Sequence, residues 1–291
     1  MTDSISPFIT ALDGKILKDI DKGYLKTHEE VVVPEGILKL SEDTFRGCNL
    51  IKRVILPSTL EEIPSFCFYN SKIEDIVLQP GIKLIGRHAF SKSNIKNIII
   101  PDTVIEIGVS AFCNCKNLES IKFPKNLVTI KTNVCTHCEN LKEVILPEKL
   151  MCIDICSFTD CRSLKKIIFP QTLINIESNA FRDTALEETL LPKKLVTIAD
   201  NAFENTNLDI LFVPEKTVIE NPARASITCS PMFVASKETI DDYRKNCSLA
   251  CLPDEKLVEY GKSLDLLINS NKSLNDINKI LLKENNNDID R

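Results

Sequence analysis

Residues 133 to 141 read NVCTHCENL. Cys135 and Cys138 stand two residues apart with His137 between them, the spacing of half a zinc site or of a dithiol redox pair. Ten further cysteines bring the total to 12 in 291 residues, a number that in a short secreted chain would suggest a disulfide framework. The start, MTDSISPFITALDG, has no positively charged segment followed by an apolar run, so no export signal accompanies the cysteines. The expectation is a reducing, cytoplasmic setting with free thiols. Other candidates for chemistry are sparse. The three histidines, His28, His88 and His137, are far apart in sequence, and there is no Gly-rich phosphate loop, no GxSxG and no HExxH.

Whether the two cysteines do chemistry depends on the elements that carry them. The chain is 43% hydrophobic and 26% charged, enough to bury a sizeable core as one elongated domain or two compact ones. A net charge of −5 argues against a nucleic-acid partner, which needs a basic face for phosphates. No apolar run approaches the roughly 18 to 20 residues of a membrane span.

Internal periodicity decides the architecture. Proline recurs at 34, 57, 101, 124, 147, 170, 192 and 214, and Gln79 occupies the matching place between the second and third of these. The spacing of 22 or 23 residues defines nine units. Their shared pattern is apolar-x-x-apolar-x-apolar-Pro-x-x-apolar-x-x-Ile-x-x-x-Ala-Phe-x-x-Cys, seen well in LKEVILPEKLMCIDICSFTDC, 141 to 161. Eleven residues after each proline position stand Phe45, Phe68, Phe90, Phe112, Cys135, Phe158, Phe181, Phe203 and Ala225. Three residues further on stand Cys48, Ser71, Ser93, Cys115, Cys138, Cys161, Thr184, Thr206 and Thr228.

A unit this short cannot bury its own apolar side chains, but stacked units share a continuous core. The alternation in LxxIxLP reads as a short strand whose fourth and sixth positions point inward, ended by a proline that cannot donate to the ladder. The Ala-Phe corner reads as a tight helical turn on the opposite side. The CxxC is then a coincidence of two repeat positions, with Cys135 in the Phe column and Cys138 in the small-polar column. Sulfurs on one zinc lie about 3.8 Å apart, whereas Cys115 and Cys161 are two rungs apart, roughly 10 Å at the spacing of stacked strands. The column cannot converge on one ion, and the thiols read as small hydrophobes in the core. No metal and no cofactor is expected, and His137 is expected to face solvent. For Cys229, Cys247 and Cys251, outside the array, a disulfide or a reactive thiol stays open.

The pattern resembles the BspA-type leucine-rich repeat, with its LPxxLxxIxxxAFxxC signature, over residues 28 to 228. Residues 8 to 27 resemble the short N-terminal strands that precede such arrays, and 232 to 246 the usual ending of an apolar strand and a Tyr-bearing helix. The resemblance implies an α/β leucine-rich-repeat solenoid, mostly short parallel strands with a turn or short-helix convex side. Three segments follow: an N-terminal cap at 1–27, the array at 28–228, and a C-terminal cap at 229–291. In the ninth unit Glu220 replaces the inward Ile and Arg224-Ala225 replaces Ala-Phe, the decay expected of a capping unit. From Asp254 the period changes to that of two helices, DEKLVEYGKSLDLLINSN and SLNDINKILLKEN, followed by a disordered tail. These helices are read as covering the open end of the solenoid, with a partner or a second copy as the alternative.

Two outward columns of the strand carry the functional reading. The second position runs Glu29, Lys52, Glu74, Lys96, Glu119, Lys142, Lys165, Glu187 and Asp209, a ladder of mostly alternating sign that fits structural pairing. The fifth runs Val32, Ile55, Val77, Ile99, Lys122, Ile145, Ile168, Leu190 and Phe212, apolar at eight of nine places. Such a ribbon is either a binding surface or the ordinary taste of exposed strands for β-branched residues. As a binding surface it comprises Ile99, Lys122, Ile145, Ile168, Leu190 and Phe212. The family resemblance implies protein–protein interaction, and in many members adhesion at a cell surface. The expectation is a non-catalytic scaffold for a protein ligand. A surface adhesin, a self-associating structural protein and a redox protein using the C-terminal cysteines are the alternatives.

Overall fold

A computed structural model describes residues 6–187, 189–208, 210–214, 217–220 and 232–234. They belong to a unit spanning residues 1–240, and residues 241–291 lie outside the described residues. The two C-terminal helices read from the sequence, and Cys229, Cys247 and Cys251, therefore lie outside the described residues as well.

Most repeats contribute two strands, one more than the single strand read from the sequence; in the units carrying Ile168 and Leu190 only the second strand forms among the described residues. The first runs through the LxxIxLP segment: Glu30–Val32, Arg53–Ile55 and Asp75–Val77 pair in parallel, as do Asn97–Ile99, Ser120–Lys122 and Glu143–Ile145. Pairing is in repeat register, so Ile98, Ile121 and Val144 stand side by side. The second strand is two residues long and lies beyond the proline turn. Thr129–Ile130, Cys152–Ile153, Asn175–Ile176, Thr197–Ile198 and Val218–Ile219 form one parallel ladder, with the isoleucines aligned. The signal for it was the Leu-x-x-Ile after each proline: both residues are buried, as in Leu60 and Ile63, so the intervening pair is stretched across a rung. In the last unit Ile219 rather than Glu220 takes the inward register, opposite Ile198, which corrects the placing of Glu220 there.

The array begins on an antiparallel hairpin, Phe8–Ala11 with Ile16–Ile20, and Ile16 and Leu17 pair in parallel with Lys39 and Leu40. The hairpin turn runs through Leu12, Asp13 and Gly14, all at positive φ.

The third side of each unit departs from the expected helical turn. The one helix among the described residues is Lys22–Leu25, capped by the Asp21 carboxylate, which accepts from the Tyr24 N–H. On the turn side the N–H groups alternate between two acceptors. Phe66, Phe68 and Asn70 donate across to Arg87, Ala89 and Ser91 of the next unit at 2.7–3.0 Å, while Cys67, Tyr69 and Ser71 donate back three residues. An α-helix would close all of these bonds within the segment. Here half of them join one rung to the next, with a left-handed residue twice per unit from the second to the eighth. Asn70, Asn114, Asp160, Asp183 and Asn205 hold the second of these places at φ 54–60°, with Lys92 and His137 there in the two remaining units; the region is one that short polar side chains tolerate best.

The ring column forms the centre of the core. Phe45, Phe68, Phe90 and Phe112 stack at centroid distances of 4.9, 5.0 and 5.2 Å, and Phe158, Phe181 and Phe203 at 5.3 and 5.4 Å. Cys135 interrupts the stack, and Phe123 turns its edge to Phe158 at 6.4 Å in the gap.

Candidate interaction surface

Cys135 and Cys138 are fully buried, side by side with Cys115 and Cys161 in the hydrophobic core. The Cys115, Cys138 and Cys161 thiols donate to the carbonyls of Phe90, Phe112 and Cys135, at 3.0, 3.1 and 3.2 Å. In each case the acceptor is the ring-column residue of the preceding unit. Each of these carbonyls already accepts a backbone N–H, from Ser93, Cys115 and Cys138, so the thiol is a second donor to it and is itself left paired inside the stack. His137 is half-exposed on the turn side, its Nδ1 3.2 Å from an Asp160 oxygen. No group of three or more metal-ligating side chains comes together among the described residues.

Burial raises every one of these core thiols. It also lifts the half-buried Cys48 and Cys152 to about 11, with Asp19 adding to the first and Glu177 and Asp154 to the second. Since the thiolate is the nucleophile, Cys67, Cys115, Cys135, Cys138 and Cys161 are expected to resist iodoacetamide at pH 8 until denaturant is added. Peptide mapping by mass spectrometry reads this directly, and prompt native labelling of Cys135 or Cys138 would contradict the packing role.

The strand face is built from the two outward columns. The charge ladder closes as discrete ion pairs: Lys52 with Glu29 at 2.7 Å, Lys96 with Glu74 at 2.6 Å, Lys142 with Glu119 at 3.1 Å and Lys165 with Glu187 at 2.6 Å. All are solvent-exposed, so each adds at most about 1 kcal/mol. Their larger effect is to leave little net charge beside the apolar column. In that column Ile99 is 72% exposed, Ile145 46%, Ile168 76% and Leu190 37%. Val32 is also exposed, whereas Ile55, Val77 and Lys122 are half-buried. Phe212 ends the strand Ile210–Phe212, and its side chain lies outside the described residues.

A second apolar column escaped the sequence reading. The residue four places after each proline position is Leu38, Glu61, Lys83, Ile105, Val128, Met151, Ile174, Val196 and Val218. Backbone bonds of 2.7–2.8 Å run from Met151 to Val128, from Ile174 to Met151, from Val196 to Ile174 and from Val218 to Val196, setting the last five of these on adjacent rungs. Ile105, Val128, Met151 and Val196 are exposed. The signal was present in the sequence as six successive apolar residues at one repeat position, but no element was read between the proline and the Ala-Phe corner.

Beside the second ladder lies an acidic row. Burial raises the Glu177 carboxyl, and the charges of Asp154 and Glu220 raise it further. A carboxyl raised on folding binds its proton more tightly in the folded state. It therefore costs stability as pH climbs from the unfolded carboxyl range through its folded value. Glu177→Gln is expected to raise Tm at neutral pH and to flatten the gain in stability on acidification toward about pH 4. Thermal melts across that range check it, and a lower neutral Tm for the variant would contradict it.

No helix among the described residues is long and apolar enough to cross a membrane. The family model described as "BspA type Leucine rich repeat region" matches residues 24–141 and 128–223 in six copies. No curated protein sequence matches the chain. Among solved structures, a leucine-rich repeat protein from Bacteroides ovatus is 25% identical with a TM-score of 0.63 over 74% of this chain. The chain spans 58% of that protein's length. A leucine-rich repeat protein from T. pallidum is 23% identical over 56% of this chain and 90% of its own, with a TM-score of 0.44.

Proposed function

The chain belongs to the BspA-type leucine-rich repeat family, and from that premise we propose that it is a non-catalytic scaffold that binds a protein ligand on the face of its first strands. One observation carries the reading: Ile99 and Ile145 on their strands, and Ile168 and Leu190 at the same repeat position in the units that follow, are exposed in a column flanked by charges that already pair with one another. Surface apolar groups set in a row on a fixed scaffold release water on contact without first having to be ordered. The neighbouring ion pairs need not be broken to bury them. Lys122 divides the column, so the longer apolar half, Ile145 to Leu190 and on to Phe212, forms the main footprint. The thiols packed as donors within the core support a reducing, cytoplasmic setting for this interaction. Replacing Ile145 and Ile168 together by Asp tests the reading: a ligand held by the wild type should be lost while the melting curve is kept.

A further inference from the structure

The repeats act as one another's controls, and one place on the turn side breaks their rule. In the first left-handed position of each unit stand Ser110, Asn133, Cys156, Asn179 and Asn201, small or short polar residues at φ 55–59°. In the second unit that place is held by Phe66, at φ 61°, and in the third by His88, at φ 53°. Histidine is among the residues this region accommodates, but a phenylalanine there is unfavourable and is kept where something other than local preference requires it.

The two rings join a third. Phe66 stacks on His88 at 5.1 Å and 20°, and Tyr69 stands edge-on to Phe66 at 5.8 Å and to His88 at 6.5 Å. Cations lie over the ring faces: the Arg46 guanidinium is 5.7 Å from the Phe66 centroid and 5.6 Å from Tyr69, and the Lys92 ammonium is 5.4 Å from Tyr69. Arg87 is exposed beside them. Asp43, 3.0 Å from Arg46, is the one carboxylate among the described residues in an ion pair with any of the three cations. The His88 Nδ1 atom is buried with no hydrogen-bond partner. Burial, with Arg87 and Lys92 nearby, holds that imidazole below its ordinary range, so it enters the cluster as a neutral ring.

Half-exposed aromatic rings with arginine and lysine held over their faces are the composition of interface hot spots. Because the rings fix these cations in place, less side-chain freedom is lost when they meet a partner. The excess of positive charge calls for carboxylates, and the ring edges for an apolar or aromatic residue among them. A net charge of −5 on the chain weakens attraction to an extended polyanion such as a nucleic acid or an anionic bilayer. We propose that the turn-side ridge formed by Phe66, Tyr69 and His88, rimmed by Arg46, Arg87 and Lys92, docks an acidic, aromatic-bearing segment of a partner protein. This site does not depend on the strand-face reading.

The test uses the full chain and a fluorescein-labelled peptide of Glu and Asp residues around one Phe. The comparison probes are the same peptide with Gln and Asn in place of the acids, and phosphatidylserine vesicles. Phe66→Asn installs the residue that the column uses elsewhere and suits the left-handed backbone. Arg87→Gln removes a cation with no ion-pair partner among the described residues, so neither variant should impair folding. Saturable binding of the acidic peptide is expected, with at least a tenfold weaker response from the amide peptide and from each variant, and an unchanged one from Ile145→Asp/Ile168→Asp. No binding of the acidic peptide, equal binding by wild type and both variants, or a preference for the vesicles would overturn the proposal.

Discussion

Phe158→Ala is expected to destabilise the array by about 3–5 kcal/mol, the range for truncating a fully buried ring. Phe158 is completely shielded from solvent and stacks on Phe181 at 5.3 Å. On its other side the column offers Cys135 instead of a ring, with the edge of Phe123 at 6.4 Å filling part of the space. Truncation would therefore leave a cavity between a ring fixed by Phe203 above and a small thiol below. Neither can move in to close it, because the inter-rung backbone bonds at Cys135 and Phe158 hold each unit at its height. Repeats couple mainly to their neighbours, so the loss should also divide unfolding near this rung, making the denaturant transition broader or two-phased. Urea titration followed by circular dichroism measures both effects. A cost below about 1 kcal/mol with an unchanged slope would mean that the ring is not part of a close-packed core.

The second large effect is on binding. Ile145→Asp/Ile168→Asp places two carboxylates on the outward face, where the wild-type side chains are 46% and 76% exposed. Ile167 and Phe169, the inward neighbours of Ile168, are buried, and Val144 and Leu146, those of Ile145, are half-buried against the core, so the substitutions themselves leave the inward side chains in place. Asp is a poor strand residue, and up to about 1 kcal/mol per site of strand preference is expected to be lost. Ile145→Thr/Ile168→Thr keeps the β-branch and separates that effect from the loss of apolar surface. If these isoleucines are the centre of the footprint, burying two charges against an apolar partner should weaken binding by at least a hundredfold, the scale of hot-spot residues. The Thr variant should fall between the Asp variant and the wild type.

The repeat, its inward positions and the sense of its outward ones could be read from the sequence because each appears nine times at a fixed spacing. The Phe column, the inward Leu and Ile residues and the charge ladder stand where periodicity puts them, and Cys135 is a core residue for the reason its column gives. Less legible was everything set by the path of the backbone. The second strand is only two residues long, too short for alternation to reveal, and the Ala-Phe corner was read as helical because small and aromatic residues suit helix packing. Donation from Phe66, Phe68 and Asn70 to the next rung decides that geometry, and this bond pattern leaves its sequence trace in the recurring Asn and Asp at left-handed positions. Missing the second strand hid the column from Ile105 to Val218. The aromatic ridge was overlooked for a different reason: Phe66, Tyr69, His88 and Arg46 lie in three successive units and meet only when the rungs stack.

The most direct test of the central claim is partner capture from native lysate by the wild type and by Ile145→Asp/Ile168→Asp, after both are shown to melt alike. The account predicts a protein retained by the wild type, lost from the double Asp variant and partly recovered by the double Thr variant. The same protein held equally by all three would contradict binding on the strand face.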